Sequence, residues 1–206
     1  MKIILASASP RRRELLKQIG LEFDIITADV EEHSDSLEPS QVVMDLSALK
    51  AEAVMEQVSL QQLVMQTEDV LVIGADTIVS CDGRILGKPK DEQDAVSMLE
   101  RLQDRGHQVY TGMTLLYRRT GESQPVWKQF YEETEVFFYP MSPAEIEEYV
   151  SSKDPMDKAG SYGIQGFCAR YIKGIRGDYN NVVGLPVGRL YQEMRGLLGD
   201  EEGSHI

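Results

Sequence analysis

The residues best suited to chemistry begin with a run of three arginines, Arg11, Arg12 and Arg13, directly after Ser7-Ala8-Ser9-Pro10. Ser9 fits a helix N-cap and Pro10 the first helical position, where a missing N–H costs nothing. The arginines then occupy the first turn, where the helix dipole is positive and each base is unfavourable by about 0.3–1 kcal/mol. That placement is poor helix design and good anion binding: unpaired N–H groups, a dipole and guanidinium forks together suit phosphate. Taken alone, the run also reads as a solvated basic patch.

Carboxylates supply the complementary chemistry. Asp76 ends the apolar run Val70–Ala75, where open α/β sheets place ligand groups. It suits a general base, a metal ligand, or a structural aspartate satisfying turn N–H groups. Glu31 and Glu32 stand in an acidic loop, and one of them with Asp76 would make the carboxylate pair that magnesium takes alongside substrate phosphates; a solvated loop is the plain alternative. Lys50, on a helix otherwise built of apolar and small residues, and Lys88, between Gly87 and Pro89, suit phosphate as point charges. The three histidines, His33, His107 and His205, sit in no nucleophile-elbow or zinc pattern. Gly160, Gly163 and Gly166 do not form a dinucleotide fingerprint, and no Walker A sequence occurs.

Composition narrows the partners. With 206 residues, 42% hydrophobic and 27% charged, the chain is an ordinary globular one with room for a buried core. A net charge of −13 argues against nucleic-acid binding, so positive charge for an anionic ligand must be concentrated locally. The two cysteines, Cys81 and Cys168, read as buried free thiols in a reducing compartment. There is neither a signal peptide nor an apolar stretch approaching a membrane span, so the expected location is cytoplasmic, with no membrane partner.

These residues must be positioned by an α/β fold with a mixed sheet. Strands are expected at Lys2–Ala6, Phe23–Thr27, Val70–Ala75 and, around an Asp82-Gly83 hairpin turn, Thr77–Cys81 and Arg84–Leu86. Two long strands, His107–Tyr117 and Val126–Tyr139, follow, and a last pair, Phe167–Lys173 and Ile175–Tyr179, turns at Gly174. Helices are expected after Pro10, from Pro39 to about Val58 with Val42, Val43, Leu46, Leu49, Ala53 and Val54 at helical spacing, over Asp91–Leu102, over Ala144–Val150 behind a Ser142 capping box, and from Leu185 or Pro186. Asp154–Gly166 reads as a long ordered loop and 200–206 as a frayed tail. One domain over 1–206, with two lobes meeting at a cleft, is the expected organisation.

Collected in order, SASPRRRELL at Ser7–Leu16, DVEE at Asp29–Glu32, ALKAEAV at Ala48–Val54, IGADTIV at Ile73–Val79, LGKP at Leu86–Pro89, DKAGSYGIQG at Asp157–Gly166 and GDYNNVVGLP at Gly177–Pro186 resemble a Maf-family nucleoside triphosphate pyrophosphatase over nearly the whole length. The resemblance implies an elongated α/β fold related to inosine triphosphate pyrophosphatases, often dimeric, and hydrolysis between the α and β phosphates with a divalent cation, Mg or Mn. It implies Asp76 as general base, with Ser7, Arg12, Glu32, Lys50 and Lys88 at the other polar positions. Arg11, Thr77 and Gln165 match the specificity positions of the branch acting on dTTP and UTP. Gln165 carries the donor and acceptor that the O4/N3 edge of uracil or thymine needs. Whether Asp76 binds metal, acts as base or does both stays open, as does a second reading: a nucleotide-binding regulator of septum formation without essential catalysis.

Overall fold

In a computed structural model, which describes residues 1–60 and 68–199, apolar runs form strands and the segments between them form helices. The order is β1 (Lys2–Leu5), α1 (Pro10–Gln18), β2 (Asp24–Ile25), α2 (Pro39–Leu60), β3 (Val70–Cys81), β4 (Arg84–Leu86), α3 (Glu92–Leu102), β5 (Gly106–Arg118), β6 (Val126–Phe138), α4 (Pro143–Ser151), β7 (Ile172–Arg176), α5 (Tyr179–Val183) and α6 (Val187–Leu198). Three 3-10 turns, Asp154–Asp157, Ala159–Ser161 and Gly166–Tyr171, lie between α4 and β7. The described strands form one sheet in the order β2-β1-β3-β5-β6-β7, with β4 on β3. β1 is parallel to β2 and β3, whereas β4 on β3 and β7 on β6 are antiparallel, so the sheet is mixed.

Contacts divide the chain into two compact units. The first holds Met1–Asp76, Thr111–Tyr131 and the chain from Gly184 onward; the second holds Thr77–Tyr110 and Glu132–Val183. The core of the first unit joins β1 and β3, through Ile4, Val70 and Val72, to α2, through Ala51, Val54 and Val58. The core of the second packs α3 (Ala95, Leu99, Leu102) and α4 (Ile146, Tyr149, Val150) with Val79, Val109, Val136 and Phe138. Cys81 and Cys168 are both buried and unbridged. No helix among the described residues is long and apolar enough to cross a membrane.

Local signals placed several boundaries. Ser9 caps α1 and Asp91 caps α3, each accepting a backbone N–H with its side chain, and Ser142 and Glu145 complete a capping box on α4. Asp82 and Gly83 both have positive φ, as a two-residue hairpin turn between Cys81 and Arg84 requires.

Four expectations are corrected. β3 does not end before Asp76 but runs unbroken from Val70 to Cys81, because its polar residues keep extended backbone within the sheet. β2 shrinks to Asp24–Ile25. Phe167–Tyr171 is 3-10 helix, Gly174 pairs with Phe137 inside the single strand β7, and the chain turns instead at Gly177 (φ +131°) into α5. Finally, α2 buries Val43, Ser47, Ala51, Val54 and Val58, leaving Leu46, Leu49 and Ala53 only half-buried. The small face goes inward because the sheet beneath is glycine: a Cβ on Gly74 would lie 2.3 Å from Ser47 O, and one on Gly112 2.2 Å from Val43 O. The expected tail at 200–206 lies outside the described residues.

Candidate active site

Five of the expected polar residues converge in the first unit. At the start of α1, Ser9 Oγ accepts the Arg12 N–H at 3.5 Å, Pro10 stands in the first turn, and no acidic side chain offsets the dipole there. Ser9 N–H in turn donates to Ser7 Oγ at 3.3 Å, tightening the approach from β1. Ser7 is buried, and its oxygen also accepts Arg12 Nη1 at 3.0 Å, so its own proton remains to be donated.

Arg12 does more than present charge. Its Nη1 also donates to Ala75 O at 2.9 Å, and its Nε to Gly184 O at 2.9 Å. One guanidinium therefore ties the turn before α1 to β3 and to the chain just ahead of α6. Burial lowers its pKa from the ordinary value; Asp76 opposes that, neighbouring Arg11 adds to it, and Glu32 opposes it again. Asp76, Arg11 and Glu32 thus all act on the Arg12 charge.

Asp76 lies within β3, one residue beyond the carbonyl that Arg12 holds, and is 8% exposed. Its Oδ1 accepts the Lys50 ammonium at 2.5 Å, and Lys50 also reaches Glu32 Oε1 at 3.1 Å. Lys50 arrives there from the middle of α2, one residue before Ala51, whose Cβ is seated over Gly74. A hydrogen-bonded patch fixes the same helix: Ser47 Oγ lies 2.8 Å from Thr114 Oγ1, and Gln129 Nε2 donates to Met44 O at 2.9 Å. Glu32 is exposed in the loop before α2, and that loop is anchored by Ser34 Oγ donating to Asp45 Oδ2 at 2.6 Å.

A buried carboxylate and a loop carboxylate that share one ammonium can also share one cation. Both are hard oxygen donors, the kind Mg²⁺ and Mn²⁺ take. Among the described residues no group of three or more His, Cys, Asp or Glu is positioned for a metal. Glu31 is exposed beside Glu32, and no ion pair to it is found among the described residues.

Thr77, Lys88 and Gln165 belong to the second unit. Thr77 is half-buried in β3, whereas Lys88 and Gln165 are exposed. The turn carrying Lys88 is tied to the 3-10 segment by Gly160 N–H donating to Gly87 O at 3.0 Å. Gln165 stands directly after buried Ile164 and before Gly166, whose φ is +72°.

Several contributors carried no sequence signal. The acceptors of Arg12 are backbone carbonyls, which side-chain types do not announce. Gly74 and Gly112 could have been suspected as glycines inside apolar strands, which mark close approach of another backbone.

An α/β sheet is compatible with many activities, and the whole-chain comparison supplies the family. The family model described as Maf-like protein matches residues 2–197, and the chain belongs to that family. It is 56% identical over 204 residues, 95% of this chain and 97% of the relative, to a dTTP/UTP pyrophosphatase of Agathobacter rectalis. It is 47% identical over 195 residues to the dTTP/UTP pyrophosphatase of Carboxydothermus hydrogenoformans, covering 95% of this chain and 98% of that one. A third protein of that name, from Bacillus thuringiensis subsp. konkukian, is also 47% identical, over 94% of each chain.

Proposed function

We propose that the chain is a nucleoside triphosphate pyrophosphatase that hydrolyses dTTP and UTP to the monophosphate and pyrophosphate. The observation that carries this reading is Lys50, held between Asp76 and Glu32 beside a helix start loaded with arginine. Cations there can meet a triphosphate, and a carboxylate among them serves a purpose that binding alone does not require, since it repels phosphate.

In the proposed reaction a water attacks the α-phosphorus, the bond to the α–β bridging oxygen breaks, and pyrophosphate leaves. Asp76 takes the water's proton on Oδ2, the oxygen that Lys50 does not hold. Lys50 turns from the carboxylates toward the phosphates as they arrive, while Lys88 supplies a second point charge. Ser7 donates its hydroxyl proton to a phosphate oxygen, and the N-terminus of α1 adds its unpaired N–H groups. Arg12 contributes mainly as a clamp that keeps Ser7 and the Asp76 strand in register, with its charge as an addition to the phosphate field. Asp76 and Glu32 would hold the divalent cation, Mg or Mn, which supplies charge neutralisation at the phosphates and a more acidic water.

Arg11, Thr77 and Gln165 select the base. The side-chain amide of Gln165 offers the donor and acceptor complementary to the O4/N3 edge of uracil and thymine. The reading takes the chain as one catalytic domain working in the cytoplasm, in keeping with its two unbridged buried thiols. Pyrophosphate release from canonical and modified nucleoside triphosphates tests it. dTTP and UTP, or modified forms of them, should be turned over ahead of CTP and the purine nucleotides; equal turnover of purine nucleotides would refute the base assignment.

A further inference from the structure

Tyr149, on α4, is fully buried, yet its hydroxyl is not idle. It donates to Asp154 Oδ2 at 2.7 Å and accepts the Gly163 N–H at 3.3 Å. Asp154 is fixed in turn by Lys158, whose Nζ donates to Asp154 Oδ1 at 3.0 Å. The stem of Lys158 passes so close to Gly163 that a Cβ there would meet Lys158 Cε at 2.8 Å. Tyr149, Asp154, Lys158 and Gly163 therefore close a ring of contacts. Beside it, the hydroxyl of Tyr162 lies 2.8 Å from Nε2 of fully buried His107, and the Phe167 ring stacks on Tyr149 with centroids 5.4 Å apart.

These ties fall on Tyr162 and Gly163, the residues just ahead of buried Ile164 and exposed Gln165. Asp154–Tyr171 contains only short 3-10 turns, so nothing in its own secondary structure holds Gln165 in one place. We propose that Tyr149 is a positioning residue for base selection: through Gly163 and Asp154 its hydroxyl fixes the backbone that presents Gln165. This rests on the reading that Gln165 contacts the base. A donor–acceptor pair discriminates between bases only if its position is held, because a slack amide can turn to satisfy either edge.

The test compares Tyr149→Phe, Asp154→Ala and Gln165→Ala as full-length chains, measuring kcat and KM for UTP and CTP. Tyr149→Phe keeps the packing and removes only the hydroxyl; Asp154→Ala opens the same ring at a partly exposed residue, should the first variant fold poorly. Either variant should lower the UTP-over-CTP ratio of kcat/KM by about fivefold, on the scale of one weakened hydrogen bond. The loss should fall on KM for UTP, with kcat within about twofold, and Gln165→Ala should lower the ratio further. If Gln165→Ala shifts the ratio while both ring variants leave it unchanged, or lower kcat equally on both nucleotides, the positioning role is wrong and the reading of Gln165 survives. If Gln165→Ala leaves the ratio unchanged, the reading of Gln165 fails and takes this proposal with it.

Discussion

His107 shows what a single buried group contributes without touching the proposed chemistry. Burial lowers its pKa from 6.5 to about 4. Its Nδ1 has no hydrogen-bond partner among the described residues. Between those two values the unfolded chain binds a proton that the folded chain refuses, so stability falls as pH drops from 6.5 toward 4. The full effect is on the order of 3 kcal/mol. Urea unfolding of wild type and His107→Gln across that window should show the wild-type midpoint falling more steeply. Asp69 and Glu193, held below their ordinary values by hydrogen bonds from Tyr117 and Lys128, act in a lower pH range and leave this comparison intact. At the same scale, Asp76, Lys50 and Glu32 were all recognisable in the sequence by type and motif, but not the ammonium shared between the carboxylates. That contact depends on three segments, and no spacing within one of them encodes it. Arg12, expected as a phosphate ligand, also holds Ser7, Ala75 and Gly184, contacts that no residue type announces.

Among the elements, α2 decides whether the site exists. It bears Lys50, and Gly74 and Gly112 set its distance from the sheet. Gly74→Ala should push the helix outward at Ser47 and Ala51, which flank Lys50, at an overpacking cost of about 1–3 kcal/mol. Gly112→Ala should strain it at Val43, two turns or about 10 Å before Lys50. Thermal unfolding and kinetics together should show similar losses of stability, but a fall in kcat/KM of about 10–100-fold only for Gly74→Ala, since an ångström of misplacement at the reacting centre is costly. Equal activity losses would mean that Gly74 acts through stability alone. The periodicity of α2 was legible, whereas its rotation was not. Leu46 and Leu49 are the more hydrophobic choice for burial, and only the glycines of β3 and β5 explain why Ser47 and Ala51 go inward. Phe167–Lys173 differs for a related reason: its aromatic, apolar composition suits a strand, but as far as Tyr171 its hydrogen bonds close locally in a 3-10 turn.

For the molecule as a whole, a chain of net charge −13 gathers Arg11, Arg12, Lys50 and the start of α1 in one unit against its own field. The α/β class and mixed sheet were legible because strands and helices alternate with clear caps and turns. The division between units was less so, since β3 crosses it without a break between Asp76 and Thr77. Phosphorus NMR of UTP incubated with Mg²⁺ and either wild type or Asp76→Asn tests the central claim most directly. Wild type should give only UMP and pyrophosphate, and Asp76→Asn, folded as shown by an unchanged circular dichroism spectrum, should be slower by about 10²–10⁴-fold. Formation of UDP and orthophosphate, or wild-type turnover by the variant, would contradict the account.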